Sequence, residues 1–268
     1  DVSLTGATVN LSGNITTSDD ATDNGLVTIN GNAFAKTNLL IDTSDGGGVI
    51  TFSNSIDADG SARSLSLTAG AGNIDFDGAA GGADPFSLLS ITNAANVTFD
   101  STVATDGALT QTAGTGTTTF TGAANAASYD ITATTAIVTS GTLTATGGGN
   151  ISLASDELNF GGGANSIIGT GTLALKQATA AATVGVGSGA GLTLDLDDTD
   201  IAAVKDGFSS ITIGDGASGN VIVDGATFLD NLTIASGADL TIQTAALSTT
   251  GSIALSADGN VVANHSVI

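Results

Sequence analysis

Along most of the chain apolar residues recur two apart in runs of three to five, then give way to a few residues of Gly, Ala, Asn or Asp. "SLSLTAGAGNIDFDG", Ser64 to Gly78, and "SLLSITNAANVTFDS", Ser87 to Ser101, write this skeleton twice in different letters. A triplet such as Ile74-Asp75-Phe76 or Leu232-Thr233-Ile234 places its first and third side chains on one face and its second on the other. The period of two predicts strands that are apolar inward, with Thr, Ser, Asp or Asn outward. The runs are too short and too rich in glycine to nucleate helices.

The strands recur. One class opens at Leu65, Leu89, Leu109, Tyr129, Ile151, Leu173, Leu192, Ile211, Leu232 and Ile253, with spacings of 19 to 24 residues. A second class follows each of these by 7 to 11 residues, at Ile74, Val97, Thr118, Ile137, Leu158, Val184, Ile201, Val221, Leu240 and Val261. Nearer the start, Val2, Val9, Ile15, Val27, Leu39 and Ile50 open strands, and "TTSDDATDNG" reads as a loop bulging from a coil. A hairpin meander wants longer strands and tight Asn-Gly or Asp-Gly turns. A fixed coil length instead predicts an all-β, single-stranded parallel β-helix over residues 1–268, with about 13 coils of roughly 21 residues stacked into a rod ~60 Å long.

The corners agree with this. Gly13-Asn14, Gly72-Asn73, Ala95-Asn96, Gly149-Asn150, Gly219-Asn220 and Gly259-Asn260 put residues that tolerate positive φ before a strand. Stacked Asn side chains can also hydrogen-bond along the axis. Asn73 and Asn96 precede the second class but Asn150 precedes the first, so the two-class assignment does not keep one coil register through residues 118–200. One stretch breaks the cadence: Asp195 to Gly214 carries Ile201, Val204 and Phe208 at helical spacing. It predicts a short helical excursion over 195–210, with Asp200 as N-cap and Gly207 as stop.

Composition limits what such a coil can do. Of 268 residues 41% are hydrophobic but only 4% aromatic, with 38 Gly and one Pro, which suits a thin core of small and β-branched side chains. The formal net charge is −22, from 26 acidic and 4 basic residues, and this sign repels phosphate backbones and anionic lipid, so neither nucleic-acid binding nor membrane insertion is expected. The absence of cysteine removes disulfides, zinc–thiolate sites and thiol catalysis. No apolar run approaches the ~18 residues that span a bilayer. Asp1 and Ile268 both fall within strand patterns, so the chain reads as an internal fragment of a longer one.

The cadence "GNIDFDGAAGGADPFSLLSITNAANVTFDSTVATDGALTQTAGTGTTTFTGA", Gly72 to Ala123, resembles the repeat regions of filamentous-haemagglutinin-like giant secreted adhesins and exoproteins of Gram-negative bacteria. "DGFSSITIGDGASGNVIVDG", Asp206 to Gly225, is similar to a segment that recurs in them. The resemblance implies a right-handed β-helical shaft, secreted and held in the extracellular space or on the cell surface. It implies an adhesive or structural role and no enzyme. Expected partners are a host or neighbouring-cell surface, glycans or matrix, with end-to-end self-association into filaments as a further expectation.

Candidate chemistry is sparse. His265 is the one histidine, and no triad is proposed on it. Asp75 with Asp77, and Asp195 with Asp197, alternate along a strand, so each pair projects from one face ~7 Å apart, a separation that an inverting glycosidase uses. This keeps a second reading open, an extracellular carbohydrate-active β-helix (a polysaccharide hydrolase or lyase). Against it, the cations Lys36, Arg63, Lys176 and Lys205 are scattered and there is a single Tyr. Calcium is the possible cofactor: Asp195, Asp197, Asp198 and Asp200, or Asp19, Asp20 and Asp23, offer oxygen ligands, though neither set has EF-hand spacing. The glycine runs 46–48, 147–149 and 161–163 lack a following Lys-Ser/Thr and read as corners. Outward threonines are not expected to keep a single register, which argues against a flat lattice-binding face.

Overall fold

In the computed structural model, which describes residues 1–17, 25–188 and 191–268, short parallel strands wind into a β-solenoid of about 12 turns in all, with one helix. Asp19, Asp20 and Asp23 lie outside the described residues. The turns divide between two units, Asp1–Ile131 with Thr139–Gly141, and Thr132–Val138 with Thr142–Ile268.

In the first unit every turn contributes inward side chains to three ladders. On one face Leu39, Leu65, Leu89, Leu109 and Tyr129 are successive Cα partners. On the next, Val27, Ile50, Ile74, Val97 and Thr118 form one file and Ile29, Phe52, Phe76, Phe99 and Phe120 the other. A third face, which the two-class spacing did not reveal, aligns Ile56, Ala80, Val103 and Ala124. Its strands are only two or three residues long and alanine-rich, too weak a pattern to read from sequence.

In-register pairing puts like on like. Phe52, Phe76, Phe99 and Phe120 stack with ring centroids 5.0, 4.7 and 5.0 Å apart and planes within 11°, close enough for offset stacking. At one break in the apolar rule two polar residues compensate each other: Thr118 and Gln111 both point inward, and the Thr118 hydroxyl donates to Gln111 Oε1 at 2.7 Å. A buried polar group costs little once partnered. Gly31 sits where the pairing of Val2–Leu11 with Val27–Ala35 shifts register, with φ +148° and Gly6 O 1.7 Å from where a Cβ would stand. No other residue fits that bulge.

Two expectations are corrected here. Outward residues do keep register: Ser3, Thr28, Thr51, Asp75, Thr98 and Thr119 form one continuous file. Pairing is set by the inward residues, and the outward ones follow automatically. Nor does Asn150 mark a slip. Asn73 Oδ1 accepts from the Asn96 amide and Asn96 Oδ1 from the Thr117 amide at one corner, while Asn150 Oδ1 accepts from the Thr172 amide at another. Both corners use the same device.

The second unit repeats the plan. Ile151, Leu173, Ile211, Leu232 and Ile253 are successive partners on one face, and Val184, Val221, Leu240 and Val261 on another. The third face is in two pieces, Leu143–Ile167–Val204 and Ala226–Leu247–Val267. Leu173 pairs directly with Ile211, so Leu192 is not a rung. The chain between them is an insertion. Leu194–Leu196 doubles back to pair in parallel with Val184–Val186, and Ile201 lies on the helix Asp198–Ala203 instead of on a strand. The helix starts and stops three residues earlier than expected: Asp197 is the N-cap in place of Asp200, which instead completes the capping box, and Val204 is the C-cap in place of Gly207.

The phenylalanine stack makes one residue diagnostic. Phe76→Ala is expected to destabilise by about 3–5 kcal/mol through cavity formation between two rings, and Phe76→Leu by roughly 1 kcal/mol. Denaturant melts of the two variants check this, and a loss in Phe76→Leu as large as in Phe76→Ala would overturn the cavity account and assign the whole effect to ring stacking.

Candidate functional site

The insertion of the second unit gathers the densest chemistry. Leu194–Leu196 and the helix both pack against Leu158–Phe160, which brings Asp195, Asp197 and Asp200 beside Glu157, the chain's single glutamate. Sequence reasoning missed Glu157; its signal was its rarity among aspartates.

Each aspartate has a traceable task. Asp197 Oδ1 accepts from the Thr199 amide at 2.6 Å and the Asp200 amide at 3.0 Å. Asp200 is 7% exposed; its Oδ1 accepts from the Phe160 amide at 2.8 Å and its Oδ2 from the Asp197 amide at 3.2 Å. Asp200 therefore pins the helix to the coil below it. Asp198 accepts from the Ser188 hydroxyl. One oxygen of Asp195, Oδ1, is buried without a hydrogen-bond partner.

Packing carboxylates together without a cation raises their proton affinity. Burial, then the charges of Asp200, Asp195 and Asp197, pushes Glu157 up to about 7. Burial likewise pushes Asp200 up to about 6, and burial with the Asp197 charge raises Asp195. In the first unit burial, with the charges of Asp77 and Asp100, raises Asp75, which stands in the outward file beside Thr98.

Three of the four cations are committed elsewhere. Arg63 Nε and Nη2 donate to Asp59 at 2.8 and 3.0 Å and hold its carboxyl down to about 2. Lys176 lies 3.8 Å from Asp215, and Lys36 sits 5.2 Å over the Phe34 ring. His265 is exposed. Among the described residues no group of three or more His, Cys, Asp or Glu side chains is placed to hold a metal ion, and no helix is long and apolar enough to cross a membrane.

Comparison of the chain with family models, with curated proteins and with solved structures finds no match.

The acidic group gives a pH signature with a definite sign. A carboxyl whose folded pKa is raised contributes stability that is fully present below its ordinary value, 4.5 for Glu157, and lost as pH climbs through about 7. Glu157→Gln is expected to raise Tm by about 2 °C or more near pH 8 and to change it little near pH 4.5. Asp45→Asn, which removes an exposed charge, serves as the control; an identical shift in both variants would reduce the effect to net charge.

Calcium is expected to leave Tm unchanged, because Asp197 Oδ1 and both carboxylate oxygens of Asp200 already accept from main-chain amides. A melting temperature that rises with calcium and saturates would establish Asp195, Asp197, Asp198 and Asp200 as a ligand set.

Proposed function

We propose that the chain is a structural and adhesive β-solenoid shaft of a secreted or surface-held protein, of the filamentous-haemagglutinin-like kind its cadence resembles, and that it performs no catalysis. The observation that carries this reading is the outward file Ser3–Thr28–Thr51–Asp75–Thr98–Thr119, a row of small polar groups repeated at the strand spacing. Each hydroxyl offers a weak contact. A rigid row of them presented to glycans or matrix sums such contacts by avidity, with no deep pocket required. The strongly acidic surface keeps such shafts apart in solution, while screening by salt permits close approach to a second surface or a second shaft.

A second reading, a polysaccharide hydrolase or lyase, is favoured by one feature, the raised carboxyls at Glu157, Asp195 and Asp200. The commitment of Arg63, Lys176 and Lys36 to partners in other places weighs against it, since a cut polyanion needs cationic clamps.

Beads coated densely with the protein are expected to adhere to glycan- or matrix-coated surfaces, while the free monomer binds too weakly to detect. Thr28→Val with Thr51→Val and Thr98→Val should lower bead retention severalfold. Retention that ignores both coating density and the triple variant would end the adhesive reading. Polysaccharide turnover abolished by Glu157→Gln would install the enzymatic one.

A further inference from the structure

The third face of the second unit is interrupted between Val204 and Ala226–Phe228. In a parallel ladder alternate residues of a strand bond to opposite neighbours. The Ala226 amide donates to Ala246 O at 3.1 Å and Phe228 O accepts from the Thr250 amide at 3.3 Å, both toward the following turn. Thr227 therefore turns its N–H and C=O toward the preceding turn, and among the described residues no main-chain group bonds to them there. What stands on that side is the helix Asp198–Ala203 and Val204, whose own amide donates to Ile201 O while the next amide, of Lys205, goes back to Ile167 O.

The gap is a cleft of about 450 Å³. Ile201, Val204, Phe228 and Leu229 give its lining an apolar part, the last of them 45% exposed. Two carboxylates, Asp198 and Asp230, stand among its lining residues, which include no Lys, Arg or His. Asp230 already receives the Gly207 and Phe208 amides at 3.1–3.2 Å, which fixes its position but leaves its charge without a cation.

An open strand edge, a group of apolar side chains and uncompensated negative charge are together complementary to one kind of partner. We infer that this cleft binds a short extended peptide carrying Lys or Arg, its main chain adding to the Thr227 edge, an apolar side chain on Ile201 and Leu229, and its cationic groups toward Asp198 and Asp230. The volume suits about three residues, and main-chain pairing at an exposed edge is an established way of capturing extended peptides. A shaft that adheres to nothing would carry the same cleft, so this site stands or falls apart from the adhesive reading.

The probe is acetyl-Thr-Lys-Val-Lys-Thr-amide, titrated into the intact isotope-labelled chain while the Thr227 amide resonance is followed. A saturable shift of that resonance is expected, with affinity about tenfold or more above that of the peptide carrying Glu for Lys. N-methylating the central Val, which leaves the protein untouched, should weaken binding about fivefold, whereas Thr227→Ala should not. Asp198→Asn with Asp230→Asn should bring the Lys peptide down to the level of the Glu peptide. The proposal is overturned if no saturable shift develops, if Lys and Glu peptides bind alike, if N-methylation has no effect, or if n-butylamine alone reproduces the full shift.

Discussion

Every feature of this molecule depends on one constraint: each inward side chain must lie in register on its counterpart one turn away. A three-residue strand buries two side chains and makes a handful of main-chain bonds, far too little to hold it in place alone. Stacked in parallel, the same strand gains a bonded neighbour on each side and a continuous apolar floor, so stability is distributed along nearest-neighbour contacts. The four stacked phenylalanines and the Thr118–Gln111 pair show the constraint from both sides. Identical rings reinforce one another, and the inward polar residues Thr118 and Gln111 satisfy each other.

Register imposed from inside is inherited outside. Nothing in the outward residues themselves aligns Thr28 with Thr51 and Thr98, yet they align because Val27, Ile50 and Val97 do. The same inheritance stacks like charges. Asp75 lies near Asp77 and Asp100, and Glu157 is crowded by three aspartates, so raised proton affinity follows from repetition in a chain with 26 acids and 4 bases. Raised carboxyls in such a molecule are weaker pointers to catalysis than they are in an enzyme cleft with balanced charge.

The solenoid was legible because its signal is collective. Ten rungs at nearly one spacing outweigh any single misread strand, and the partners of Leu65 and Ile74 follow from spacing alone. What spacing could not show was the third face, whose strands of two or three residues carry Ala as often as Val, and the insertion between Leu173 and Ile211, whose length of nearly two coils let Leu192 pass for a rung. The cap was misplaced by three residues for a related reason. Asp195, Asp197, Asp198 and Asp200 are chemically alike, and only tertiary contact with Phe160 separates the aspartate that caps the helix from the one that anchors it. Glu157 was invisible as a site residue because the groups that perturb it are about forty positions away.

The insertion also explains why the chemistry of the second unit collects where it does. Replacing one strand of the third face by a helix removes a set of ladder partners, and a helix satisfies its own main chain, so it cannot return those bonds to the strand beside it. The edge at Thr227 is the direct consequence. A regular coil there would have closed the ladder and left a uniform surface, as the Ile56–Ala80–Val103–Ala124 ladder does in the first unit. The short helix thus exchanges repetitive strength for a local concavity with an open edge, and recognition of a particular partner, as distinct from many weak equal contacts, requires a departure of that kind from the repeat.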